Sequence, residues 1–333
     1  MRLADSLTLL YWGVLLLCCA FAIYFAGIVF SVFRLAFLLP GQQLRELYAS
    51  ILWYSGLPAT AALLLIAADL FILFPIKRRS PRRLDVETDL TSQATVVLTA
   101  YNDEPSIRKA VQDFLSNPRV KRVIVVDNNS RDGTAEAAAE SGAIVVSESM
   151  PGYGRCVYRC LQEAAALDDT GYVVLCEGDR TFRAHDIHKL FTFIGHADVV
   201  NGTRIVEQLR CVSTQLTTFM YYGNFFVGKL LELKHLGQGT FTDVGTTYKL
   251  IRRSVLAELL AHLDPRVNLE FNAHFMDTVL RRRLVMVECP VTFHPRVGFS
   301  KGGNASFRKA LAVGLRMILG LTFGWRAARF LSR

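Results

Sequence analysis

Three short apolar runs near the middle of the chain each give way abruptly to carboxylates and amides. Thr95 to Thr99 leads into Tyr101, Asn102, Asp103 and Glu104; Lys121 to Val126 leads into Asp127, Asn128 and Asn129; Tyr172 to Cys176 leads into Glu177, Gly178 and Asp179. Apolar runs this short, bounded by turn residues, read as buried strands. The intervening segments Pro105 to Leu115, Thr134 to Ser141 and Gly154 to Leu167 read as helices, with a further strand at Ala143 to Val146. Alternation of this kind predicts parallel strand pairing with helices on both faces of the sheet. Ligands of such sheets bind beyond the carboxyl ends of the strands, so the three polar clusters are expected to converge on one edge.

Later segments are less regular. Asp198 to Thr203 reads as a strand and turn, Val212 to Leu233 as a long aromatic-rich helix, and Phe241 to Leu250 and Leu284 to Val291 as strands. From Ser306 onward, Arg308, Lys309, Arg316, Arg326 and Arg329 interrupt an apolar background. That spacing predicts helices lying in a membrane interface and disfavours a third span, since Arg316 would fall near its middle.

The N-terminal part is of another kind. No charged residue occurs from Ser6 to Phe33, and a second uncharged run from Leu47 to Ala68 continues past Asp69 to Ile76. A bilayer core takes roughly 20 apolar residues in a helix, so two spanning helices are expected. A cleaved signal peptide is a poorer match, because the first run is too long and lacks a small-residue cleavage site. Lys77, Arg78, Arg79, Arg82 and Arg83 follow the second run, whereas the stretch between the runs carries just Arg34 and Arg45 against Glu46. The positive side stays cytoplasmic, which places both ends of the hairpin, and the domain behind it, on the cytoplasmic face of a cell or organelle membrane. Asp69 is costly inside a span unless it pairs or reaches the headgroups.

Of the 333 residues, 51% are hydrophobic, and the net charge is +9. Beside two apolar spans this charge implies attraction to anionic lipid and phosphate; no nucleic-acid motif accompanies it. The seven cysteines show no C-x-x-C spacing and read as packing residues.

Acidic residues at strand ends are commonly turn formers or caps. Glu177 and Asp179, however, emerge together beside two other acidic clusters, an arrangement that is unfavourable without a cation. Carboxylates with spare water positions suit Mg²⁺ or Mn²⁺ held jointly with a diphosphate.

With these residues in place the chain resembles the inverting family-2 glycosyltransferases of the GT-A fold. The resemblance rests on Val96 to Glu104, Val125 to Thr134 and Glu177 to Asp179. Downstream, Asp198 to Arg204, Thr242 to Arg253, Glu288 to Pro290 and Arg296 to Lys301 look like the polyprenyl-phosphate branch, which includes dolichol-phosphate mannose synthases. It implies that Thr99, Tyr101, Asp103 and Asp127 hold the nucleoside side of a nucleotide-sugar donor, and that Glu177, Gly178 and Asp179 bind its diphosphate with the metal. It further implies that Arg204, Arg296 and Lys301, joined by Arg210, gather the phosphates of donor and lipid acceptor, and that Asp243 stands near the reacting centre with Asp179 and Arg204. An acceptor phosphate is already an anionic nucleophile, so such a reaction asks for charge screening and positioning more than for a strong base.

Three positions depart from the family pattern: Glu177 stands where Asp is usual, Thr99 where Pro is common, and Tyr153 where Lys is common. The expectation is an α/β GT-A domain over 85–301, a transmembrane hairpin and basic linker over 1–84, and an amphipathic interface segment over 302–333. The activity implied is inverting transfer of a hexose-type sugar from a UDP- or GDP-sugar to a polyprenyl phosphate. Another lipid or glycan acceptor, and a non-catalytic nucleotide-binding membrane scaffold, stay open, as does homo-oligomerisation.

Overall fold

The computed structural model describes residues 8–36, 42–78, 92–209, 211, 214–298 and 306–326. The chain divides into two compact units, one holding the residues up to Pro81 with Leu233–Gly237, the other the remainder.

In the first unit, helix α1 (Leu9–Ala36) packs on a helical stretch made of α2 (Gln42–Tyr54), α3 (Gly56–Ala68), wider π-type turns over Asp69–Leu73, and α4 (Phe74–Arg78). The regular ladder breaks at Ser55, whose hydroxyl donates to the Leu52 carbonyl at 2.7 Å. Two helices here, Leu9–Leu35 and Tyr48–Ile76, are long and apolar enough to cross a membrane. They approach closely at Gly13, where a Cβ would lie 2.9 Å from the Ala62 carbonyl oxygen, the use small residues have between apolar helices. Asp69 is buried and accepts from the Leu10 amide at 2.6 Å. Its carboxylate caps the first turn of α1, where backbone N–H groups have no intrahelical acceptor. The charge that looks out of place in an apolar run thus holds the two helices together. Arg79, Arg82 and Arg83 of the basic linker lie outside the described residues.

The second unit is built on a seven-stranded sheet: β1 (Ala94–Ala100), β2 (Val120–Asp127), β3 (Ile144–Ser147), β4 (Tyr172–Glu177), β5 (Val199–Thr203), β6 (Lys249–Arg252) and β7 (Met286–Pro290), in the order β3-β2-β1-β4-β6-β5-β7. Helices α5 (Glu104–Leu115), α6 (Thr134–Glu140) and α7 (Tyr153–Ala165) connect the first four strands, as the alternating pattern predicts. β1 is buried along its whole length between β2 and β4, both parallel to it. The chain winds outward from β1 to β3 and then returns to β4 on the other side, which makes the β1 carboxyl end a topological switch point. The sheet is mixed, because β6 runs antiparallel to both β4 and β5.

Several expected elements are shorter than the sequence suggests. The strand expected from Phe241 to Leu250 begins only at Lys249, because the Thr242 and Asp243 amides donate to the Glu288 carboxylate at 2.8 and 3.1 Å instead of entering the ladder. The helix expected from Val212 is α9 (Thr218–Lys234), which follows α8 (Ile187–Ile194) and β5. Helices α10 (Leu256–Leu260) and α11 (Phe271–Arg281) complete the second unit together with α12 (Phe307–Phe323). α12 docks on α11: Arg316 pairs with Glu270 at 3.2 Å, and the Trp325 indole donates to the buried Asp277 at 2.8 Å. The arginine that argues against a third span therefore has a partner in the α/β unit, while Phe307, Leu311, Leu315 and Phe323 stay exposed on α12.

Candidate functional site

β1, β2 and β4 deliver their polar clusters to one edge because they are neighbours in register: Ala100 lies opposite Asp127, and Thr99 opposite Glu177. Beyond each strand the backbone turns through a left-handed residue, namely Asn102 (φ 49°), Asn129 (φ 62°) and Arg180 (φ 65°). Asn tolerates this conformation; Arg does so only where its surroundings hold it. Gly178 packs closely on α5, and a Cβ there would displace the tip of the Ile107 side chain, which it would meet at 2.5 Å.

The edge opens into a cavity of about 630 Å³. Thr99, Tyr101, Asp103, Glu177, Asp179, Arg204 and Arg296 line its polar end. Its other end is apolar, walled by Phe219, Phe226 and Val227 of α9 and by Leu311, Val313, Leu315, Met317 and Ile318 of α12. Asp127, Gly178 and Asp243 are not on the wall. Asp127 sits just behind it: the neighbouring Asn128 lines the cavity, and Asp127 accepts from the Ser130 amide at 3.2 Å. The other Asp127 oxygen is buried and has no hydrogen-bond partner among the described residues. Arg210 and Lys301 lie outside the described residues.

One arginine organises the acidic edge. Arg296 places one terminal nitrogen 2.9 Å from Asp103 and the other 2.9 Å from Asp179. Asp103 also accepts from the Tyr101 amide at 3.1 Å and opens α5, while the second Asp179 oxygen accepts from the Thr181 amide and hydroxyl at 3.0 and 2.7 Å. Burial, reinforced by the nearby Glu177 charge, pushes the Asp179 carboxyl up to about 7, against the pull of Arg296.

The second arginine is held from beneath. Arg204 follows β5 and donates to the two Asp243 oxygens at 2.7 and 2.8 Å, with Asp243 wholly buried. Burial alone would raise the Asp243 carboxyl, but Arg204 more than offsets it and holds the group below its ordinary value. Asp243, expected near the reacting centre, commits both of its oxygens to Arg204 and to backbone amides and does not line the cavity. Gly245 leaves room for this pair, since a Cβ there would lie 2.9 Å from Arg204 Nη2 and 2.5 Å from Asn224. Behind it Lys249 is fully buried against the Phe275 ring, and burial brings its ammonium down to about 7 in spite of Asp243.

Sequence reasoning did not single out Thr247, Asn272 or Asn128. Thr247 donates to Glu177 at 2.7 Å and shares a short hydrogen bond with the Tyr153 hydroxyl; Asn272 donates to Tyr153 at 3.0 Å, to Thr247 at 3.2 Å and to the Gly245 carbonyl at 3.1 Å. Asn128 ties β2 to the following loop through the Met150 carbonyl and the Gly152 amide, each at 2.9 Å. Tyr153 and Thr247 were visible as members of motifs, whereas Asn272 carries no signal of its own in the sequence.

Among the described residues no group of three or more His, Cys, Asp or Glu side chains is arranged to hold a metal ion. The donor set still fits a hard divalent cation shared with a ligand. Glu177 and Asp179 are oxygen donors at one strand end, and the second Glu177 oxygen has no partner among the described residues; Mg²⁺ and Mn²⁺ take their remaining positions from phosphate and water.

Comparison with known proteins agrees with this architecture. Residues 95–260 match the model of glycosyl transferase family 2. The low-salt glycan biosynthesis hexosyltransferase Agl6 of Haloferax volcanii is 24% identical over 220 residues, 65% of this chain and 51% of that protein. The chain thus spans about half the length of this relative. The protein RfbJ of Shigella flexneri is 31% identical over 111 residues, 33% of this chain and 83% of RfbJ. Among solved structures, glucosyl-3-phosphoglycerate synthase of Mycobacterium tuberculosis, crystallised with Mn²⁺, UDP and phosphoglyceric acid, shares the fold with a TM-score of 0.51 at 18% identity, covering 69% of this chain and 78% of that one. The matched segment runs through β1, β2 and β4 and their polar ends, and the chain belongs to glycosyl transferase family 2.

Proposed function

We propose that this protein is a membrane-anchored glycosyltransferase that moves a hexose-type sugar from a UDP- or GDP-sugar to a polyprenyl phosphate, with inversion at the anomeric carbon. The observation that carries this reading is the two-ended cavity: carboxylates and two arginines at the sheet edge, and a largely apolar lining contributed by α9 and α12. A donor diphosphate and an acceptor phosphate suit the polar end, and an isoprenoid chain suits the other. A small polar acceptor would leave the apolar half without a use. The hexosyltransferase name of the Haloferax relative and the UDP and Mn²⁺ bound by the mycobacterial synthase support the donor class.

In this reading Tyr101, Asp103, Asn128 and Asp127 take the nucleoside, with the unpartnered Asp127 oxygen available to a donor group of the base. Glu177 and Asp179 would hold Mg²⁺ or Mn²⁺, which when bound neutralises charge on the leaving diphosphate. Arg296 and Arg204, each held in place by a carboxylate, supply the positive charge that draws the acceptor phosphate in and screens its repulsion from the donor. The acceptor oxygen attacks the face opposite the diphosphate, which inverts the anomeric centre. With an anionic nucleophile no side chain needs to remove a proton, so positioning and electrostatics supply the catalysis. The two apolar helices of the first unit anchor the chain in the bilayer, with the α/β unit on the cytoplasmic side. The exposed apolar side chains of α12 lie at the membrane interface.

The donor half is tested by titrating UDP and GDP with and without Mn²⁺ into wild type and Asp179→Asn. Mn²⁺ should tighten binding in wild type, and Asp179→Asn should lose that tightening. An identical metal effect in both proteins would remove Asp179 from the metal site.

A further inference from the structure

Two of the three departures from the family pattern, Glu177 and Tyr153, meet in space through a third residue. Tyr153 opens α7, Glu177 closes β4 and Thr247 lies just before β6. Thr247 donates its single proton to Glu177 Oε1 at 2.7 Å. The short contact between Thr247 Oγ1 and the Tyr153 hydroxyl therefore uses the tyrosine proton. The direction of the chain is fixed: Tyr153 to Thr247 to Glu177. Asn272 closes it from the side, its one remaining amide proton shared between the Tyr153 and Thr247 oxygens. Its amide orientation is set independently, because the same nitrogen donates to the Gly245 carbonyl, which can only accept. Burial keeps the Tyr153 hydroxyl protonated by raising its pKa well above the ordinary value.

We propose that Tyr153, Thr247 and Asn272 are positioning residues for Glu177: they pin one carboxylate oxygen so that the longer arm presents the other, Oε2, to the cation and diphosphate of the donor. Resting on the family-2 reading above, this assigns the two departures a common purpose. A glutamate has one more rotatable bond than an aspartate, and a ligand needs a fixed oxygen; a directed pair of hydroxyls supplies the restraint. A lysine at position 153 would bring a charge to the carboxylate and compete with the metal, whereas a neutral tyrosine orients it without neutralising it. Chain-order distance hides the arrangement, since the four residues come from four separate segments.

The test is a double-mutant cycle on Mn²⁺-dependent nucleotide binding, read by calorimetry with the full chain in detergent and with whichever of UDP or GDP wild type binds more tightly. Tyr153→Phe and Thr247→Val should each reduce the Mn²⁺-induced tightening about five- to tenfold, the worth of one buried hydrogen bond. Thr247→Ser, which keeps the hydroxyl, should restore it. In a Glu177→Gln background Tyr153→Phe should have no further effect, and thermal unfolding of each variant separates folding from binding. Additive losses in the Glu177→Gln background, or Thr247→Ser behaving like Thr247→Val, overturn the positioning role alone. Absence of any Mn²⁺ effect in wild type overturns the metal reading and this role with it.

Discussion

The Arg204 guanidinium and the Asp243 carboxylate face each other in a fork of two hydrogen bonds, 2.7 and 2.8 Å long, with the carboxylate sealed from solvent. Arg204 also lies over the Phe293 ring, 5.2 Å from its centre. Removing one member of such a pair leaves an uncompensated buried charge, a loss of about 3–5 kcal/mol. Asp243→Asn should therefore lower unfolding stability by roughly that amount, measured by urea denaturation in detergent. The double variant Arg204→Met, Asp243→Leu should recover much of it while still lacking transfer activity. A fully stable single variant would contradict the pairing.

Arg296 links Asp103 to Asp179 across the polar end. Arg296→Ala should raise the KM for polyprenyl phosphate by about tenfold or more, given the worth of a charge-assisted hydrogen bond, with a smaller effect on nucleotide affinity. Steady-state kinetics with both substrates varied checks this; an unchanged acceptor KM would contradict it.

At Gly314 an added Cβ meets nothing within 4 Å, although the residue lines the cavity. Gly314→Trp should therefore fold normally, fill the apolar end and block long-chain acceptors, leaving UDP or GDP binding intact. Comparing acceptors of two and eleven isoprene units shows whether the loss grows with chain length, as expected. A uniform loss would place the isoprenoid elsewhere.

Lys249 is buried with its ammonium brought down to about 7 from an ordinary 10.5. A base with a depressed folded-state pKa binds more protons when unfolded, so stability rises with pH between about 7 and 10.5 and the burial penalty is fully present below 7. Lys249→Met should therefore stabilise the protein by a few kcal/mol at most, more at pH 6.5 than at pH 9.5. Unfolding midpoints at the two pH values test the sign, and a larger gain at pH 9.5 would contradict it.

The sheet edge was legible in the sequence because short apolar runs must pair and their polar ends must then adjoin. The order β2-β1-β4 brings Asp103, Glu177 and Asp179 to one cavity as that reasoning predicts. Other features had no local signature. α11 carries the polar residues His274, Asp277, Thr278 and Arg281 on one side, which reads as a solvent-facing stripe, yet it is buried from Phe271 through Leu280. Asp243 looked like a residue of the reacting centre from its motif, but whether a carboxylate faces a cavity or an arginine depends on tertiary packing. The same holds for Asp69, whose partner is the first turn of a helix far away in sequence.

Transfer itself is the most direct test of a donor and a lipid phosphate sharing one cavity. Purified full-length protein given radiolabelled UDP- and GDP-hexoses, Mn²⁺ and a short-chain polyprenyl phosphate should move label into the organic phase as an acid-labile sugar phosphate of inverted anomeric configuration, and Asp179→Asn should abolish this. Label that stays with the nucleotide, or that enters the organic phase only when a glycolipid replaces the polyprenyl phosphate, would contradict it.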